Sequence, residues 1–212
     1  MPVLISLLLL PALLYLAISG RLTEITGPGG VGAKFRASAS TTVRGAIQPT
    51  QNLQQVDKGG LNDLEAIKPQ LSDERPLVLK FNLRAGSNFD LGSIRSYLLV
   101  LRASRGFGVV AFVDAEGKLL GYVTAQRFDA LMNSDAAYNV VEQLNGQTAD
   151  DPLTGLGVVT ATIPVGASNA EALATMTEQQ LKIAAITDRN KTLVGVIERE
   201  QLVATMLLAA AS

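Results

Sequence analysis

Residues 107–132 read FGVVAFVDAEGKLLGYVTAQRFDALM, and residues 181–207 read LKIAAITDRNKTLVGVIEREQLVATML. Each stretch begins with an apolar run that reads as a buried strand, Val109–Val113 in the first and Ile183–Ile186 in the second. A polar turn follows, Asp114 to Lys118 and Thr187 to Lys191. A second strand then runs through a glycine, LLGYVT at 119–124 and LVGVIE at 193–198. An amphipathic helix closes each stretch, starting near Ala125 and Arg199. Turn residues between β-rich flanks predict a hairpin in both, with the second turn one residue longer and Asp188 shifted by one.

The pattern extends upstream. Ile94, Leu98 and Leu101 recur at helical spacing and predict a helix over roughly Leu91–Arg102. In the second stretch Ser168 or Asn169 can cap a helix through Ala172, Leu173 and Met176. Extended segments, Leu77–Leu83 and Val158–Val165, precede these helices. Two copies about 75–80 residues apart indicate internal duplication.

The two stretches resemble a tandem pair of cystathionine-β-synthase (CBS) domains. The first carries Asp114, Gly117, Gly121 and Thr124 of the family's Asp-x-x-Gly-x-h-h-Gly-h-h-Thr-x-x-Asp, with Arg127 in the final Asp position. The second keeps Asp188 and Gly195, with Glu198 and Gln201 in the Thr and Asp positions. The resemblance implies an α/β (α+β) fold: two βαββα repeats, 77–148 and 149–212, forming a pseudo-twofold module. It also implies regulation rather than catalysis, a homodimer, and an adenine nucleotide as regulatory ligand. The first repeat is then the better site, lined by Thr124 and Arg127. Loss of both Asp positions removes the acceptors for ribose hydroxyls, although Arg127 can pair with phosphate. Without a ligand, Thr124 is an N-cap for the helix starting at Ala125.

The N-terminus, MPVLISLLLLPALLYLAISG, has no charged side chain through Gly20. At about 1.5 Å per residue, residues 2–19 would span roughly 27 Å, close to a bilayer's hydrocarbon core. Basic residues follow the run (Arg21, Lys34, Arg36, Arg44) and none precedes it. That asymmetry predicts a single transmembrane helix in residues 1–20, with the N-terminus outside and the remainder cytoplasmic. A membrane-protein partner is then expected. The alternative is a signal peptide, for which Ala17 and Ser19 supply small-x-small spacing, followed by an exported α/β binding module.

Residues 21–76 read as a juxtamembrane glycine hinge and linker, poorly ordered over 37–60, with a short helix over Leu61–Ile67. Gly27, Gly29 and Gly32 fit G-x-G-x-x-G. A dinucleotide loop needs a preceding strand and a following helix, and neither is written here. No Ser or Thr directly follows Lys34, as a Walker A loop would require.

Composition narrows the chemistry. Cys and His are both absent, which removes thiolate nucleophiles, imidazole bases and nearly every transition-metal site. Net charge is −1 and aromatics are 5%, so neither a basic field nor stacking platforms favour nucleic acid. Asp114 and Glu116 read as solvated turn residues. Asp150 and Asp151 read as a loop without enough ligands for a metal. The C-terminal helix has an apolar stripe of Leu202, Val203, Met206, Leu207 and Leu208. It packs on the other repeat or forms a dimer seam.

Overall fold

The computed structural model describes residues 39–43, 48–49, 53–56, 77–83, 87–103, 106–146, 153 and 155–211. The apolar N-terminal run, the glycine hinge, the Leu61–Ile67 helix and Asp150-Asp151 lie outside these residues. Among the described residues, no helix is long and apolar enough to cross a membrane.

Eight strands and five helices follow in chain order among the described residues. Strands β1 (Gln48–Pro49), β2 (Leu53–Val56) and β3 (Leu77–Asn82) lead into α1 (Leu91–Leu101). The hairpin β4 (Phe107–Val113) and β5 (Leu119–Thr124) follows, then α2 (Ala125–Met132) and α3 (Ala137–Gly146). Next come β6 (Thr162–Pro164), α4 (Asn169–Glu178), the hairpin β7 (Ile183–Thr187) and β8 (Leu193–Glu198), and α5 (Arg199–Ala211). The βαββα order therefore occurs twice, as β3-α1-β4-β5-α2 and β6-α4-β7-β8-α5, in a mixed α+β fold. One four-stranded sheet has the order β2-β3-β4-β5 and the other β1-β8-β7-β6.

Two compact units divide the chain. The larger contains Gln48–Thr162 with Thr187–Val196. The smaller contains, of the described residues, 39–43, 163–186 and 197–211.

In the larger unit β3 runs parallel to β2 and β4, and β5 returns antiparallel to β4. The β3-α1-β4 crossover makes that parallel pairing possible. Val109 to Val113 are all buried, as a strand covered on both faces requires. Phe81 lies at the centre of the core, with ring centroids 5.3 Å from Phe89, 5.8 Å from Phe112 and 5.4 Å from Phe128. Helix α3 adds Ala137, Val140, Val141 and Leu144 to the same core. Asn145 fixes that helix to the chain before α1: its side-chain amide donates to the Phe89 carbonyl (2.9 Å) and accepts from the Phe89 N–H (2.6 Å).

The smaller unit's core is aliphatic. Ile163, Ala172, Leu173, Met176, Ala184, Ile186 and Ile197 pack with Leu202, Val203 and Met206 of α5. The stripe on α5 thus supplies Leu202, Val203 and Met206 to the smaller unit's core, with Leu207 packed against it. Leu208 remains 71% exposed.

Parts of the stretch read as a poorly ordered linker are structured. Val43 is fully buried in the smaller core, and its N–H donates to Ala167 O at 3.0 Å. β1 pairs with β8, and β2 pairs with β3. Low local hydrophobicity concealed these strands because a neighbouring edge, not their own pattern, recruits them.

Candidate functional site

The two hairpins, taken residue by residue, have turns of equal length. Asp114, Gly121, Thr124 and Arg127 each lie 74 positions before Asp188, Gly195, Glu198 and Gln201. The extra turn residue expected in the second copy is absent, because Thr187 belongs to the strand β7. In the first turn the Asp114 N–H donates to Lys118 O at 2.9 Å, and Asp114 Oδ1 accepts from the N–H of Glu116 (3.0 Å) and Lys118 (2.8 Å). In the second the Asp188 N–H donates to Thr192 O at 3.0 Å, and Asp188 Oδ1 accepts from Asn190 (2.9 Å) and Thr192 (2.8 Å). Asp114 is therefore not the solvated residue expected. It is buried, and its carboxylate satisfies turn N–H groups.

Gly121 has a separate task. A Cβ there would lie 2.2 Å from Val158 Cγ1 and 3.0 Å from Val159 O. Its absence lets the Val158–Val159 segment reach β5, where Tyr122 and Val159 exchange hydrogen bonds of 2.9 and 2.8 Å.

Thr124 and Arg127 meet at the start of α2. Thr124 is the N-cap, its hydroxyl accepting from the Arg127 N–H at 3.2 Å. That bond satisfies one of the orphan donors of the first turn. The Arg127 Nε donates to Leu156 O at 3.0 Å. Both residues are exposed, and both are engaged with their own chain.

The corresponding junction of the second repeat differs. Here Lys182, Ile183, Glu198, Arg199 and Glu200 line an open hollow of about 210 Å³. Two cations and two carboxylates leave it electrically balanced. It is smaller than the roughly 300–1,000 Å³ of small-molecule pockets. The Arg199 N–H donates to Lys182 O at 2.9 Å, joining the start of α5 to the strand beside it. Sequence reasoning named Arg199 only as a helix start and did not single out Lys182, although the run Glu198-Arg199-Glu200 was legible.

A second hollow, about 250 Å³, lies between α1 and α2. Arg102 pairs there with Asp129, Arg95 Nε donates to Met132 O at 2.8 Å, and Leu99 stands 69% exposed. Among the described residues, no group of three or more acidic residues could hold a metal ion.

No family model matches the chain, and no curated protein matches it. It is similar to a CBS-pair protein, CBSX2 from Arabidopsis thaliana, at 16% identity over 82% of this chain and 99% of that one, with a TM-score of 0.46. That plant protein has also been solved in complex with AMP. A functionally unknown conserved domain from Neisseria meningitidis MC58 is similar at 17% identity, over 80% of this chain and 81% of that one, with a TM-score of 0.45. The CBS domain of a CBS domain containing membrane protein from Sphaerobacter thermophilus is similar at 15% identity, over 82% of this chain and 92% of that one, with a TM-score of 0.43.

Proposed function

We propose that this chain is a membrane-anchored regulatory or scaffolding protein, not an enzyme, whose working part is a degenerate tandem CBS-like module that senses an adenine nucleotide. The observation that carries this reading is the hairpin built twice. Both turns close on an aspartate accepting two backbone N–H groups, and each hairpin runs directly into a helix. This is the part of the sequence that resembles the family. The absence of Cys and His supports a binding role over a catalytic one.

The ligand's candidate places are the two strand-to-helix junctions. The first offers the Arg127 guanidinium beside Thr124. The second offers Lys182 and Arg199 for phosphate oxygens, and Glu198 or Glu200 for hydroxyl donors. A ligand regulates only if it binds two arrangements of the module with different affinity. The partner is a second copy of the chain, with Leu99, Tyr138 and Leu208 the exposed large hydrophobic side chains among the described residues. Residues 2–19 supply the anchor and hold the module on the cytoplasmic side, where a membrane protein would receive the signal.

The test is thermal unfolding of the detergent-purified full chain with AMP, ADP or ATP. A ligand at 100 times its Kd adds about 2.7 kcal/mol. A rise in Tm that is lost in Lys182→Ala or Arg127→Ala supports nucleotide sensing. No rise with any of the three removes the adenine nucleotide and leaves the scaffolding role. Intact mass tests the anchor: a mature chain starting at Gly20 would replace it with an exported binding module.

A further inference from the structure

Arg127 is tied to a turn 29 residues ahead of it. Its Nε donates to the Leu156 carbonyl, and its guanidinium lies against Gly157. A Cβ at Gly157 would fall 2.1 Å from Nη2 and 2.7 Å from Cζ. Gly157 also has φ +62°, so both its backbone and its bareness suit this contact. Two residues further on, Val159 is stitched to Tyr122 of β5. Arg127 therefore holds the near end of a segment whose far end is already fixed.

The tie is one that can be exchanged. The guanidinium carries five N–H donors, and its bond to the Leu156 oxygen is to a neutral acceptor. A phosphate or carboxylate oxygen adds an opposite charge and can take two parallel N–H bonds from the same fork, which a lone carbonyl cannot match. Arg127 is exposed, so such an oxygen can reach it. In the second repeat the corresponding residue is Gln201, which carries no charge.

We propose that Arg127 is a latch. Closed on the Leu156 carbonyl, it fixes the Gly155–Val159 segment; an oxyanion ligand that draws the guanidinium away releases that segment. Only the identity of the oxyanion rests on the nucleotide-sensing reading.

Hydrogen–deuterium exchange on the full chain tests this, read at residues 155–159 and, as a reference, at β3. Wild type, Arg127→Ala and Arg127→Lys are compared alone, with AMP, and with pyrophosphate. Lysine keeps the charge but lacks the Nε donor and the planar fork, and β3 reports whether the fold is kept. Both variants should exchange about five- to tenfold faster at 155–159, the factor that losing one net hydrogen bond allows, with β3 unchanged. AMP and pyrophosphate should each speed that segment in wild type and have no effect in the variants. If pyrophosphate opens it and AMP does not, the latch stands and the adenine nucleotide falls. Wild-type exchange in both variants, or an equal rise at β3, overturns the latch. Fast variants with a wild type indifferent to both anions overturn release by an oxyanion.

Discussion

The hairpin of the first repeat turns at Gly117 with φ +82°, and that of the second turns at Lys191 with φ +63°. One position suits glycine, and the other forces a lysine into the left-handed region. The remaining geometry is shared, down to two N–H groups on each aspartate. The aspartate, more than the glycine, therefore defines this turn. A side-chain acceptor that replaces water on two backbone donors offsets the roughly 1–2 kcal/mol of left-handed strain at a non-glycine residue. The cores differ more: four phenylalanine rings in the larger unit, and alanine, isoleucine and methionine in the smaller.

Breaking the aromatic core should have the largest effect. Phe81→Ala removes a fully buried ring that contacts three others and should destabilise by about 3–5 kcal/mol in urea unfolding. A loss under about 1 kcal/mol would mean that the core refills the space.

The aspartates come next. Asp114→Ala should lose about 2–3 kcal/mol, because Asp114 is buried and two turn N–H groups lose their acceptor. Asp188 is half-buried and water can replace it, so Asp188→Ala should lose about 1 kcal/mol. Equal losses would show that burial does not separate the two turns. Removing an N-cap is comparable to losing the Asp188 acceptor: Thr124→Ala and Ser168→Ala should each cost about 1 kcal/mol. A Thr124→Ala variant as stable as wild type would withdraw the capping role. At Lys191 the sign reverses. Lys191→Gly should gain about 0.5 kcal/mol where Gly117→Ala loses about 1 kcal/mol, and a destabilised Lys191→Gly would sink the strain argument.

The smallest expected effect is pH dependence at the helix starts. The Asp90 carboxyl is held below its ordinary range, chiefly by the Ser93 side chain and then by the Ser93 N–H. Glu171 is held down by the Ser168 N–H and then the Ser168 hydroxyl, within the capping box of α4. Both folded pKa values are lowered, so this stability is complete above an ordinary carboxylate pKa near about 4 and is lost as pH falls through the lowered values. A double variant, Asp90→Asn with Glu171→Gln, should lose less Tm than wild type between pH 5 and pH 3. Identical losses would assign the acid sensitivity elsewhere.

Much of the fold was legible because its signals are local. Strands 119–124 and 193–198 and the helix starts at Ala125 and Arg199 were read correctly from period and turn chemistry. Thr124 and Ser168 were legible as caps for the same reason. Helix α3 was missed although Ala137, Val140, Val141 and Leu144 carry its period. The candidate site was less legible. Thr124 and Arg127 stood out by position, but nothing near Arg127 in the chain points to Leu156.

Local pattern carried the duplicated βαββα order, the places of both hairpin turns and the caps at Thr124 and Ser168, since each depends on residues a few positions apart. Only the tertiary structure decided that β2 joins β3, that Val43 enters a core, that Asn145 grips Phe89, and that Arg127 closes on the Gly157 turn. Those contacts join residues far apart in the chain. They depend on which backbone groups and unfilled volumes the folded elements present to one another, and no local pattern encodes that.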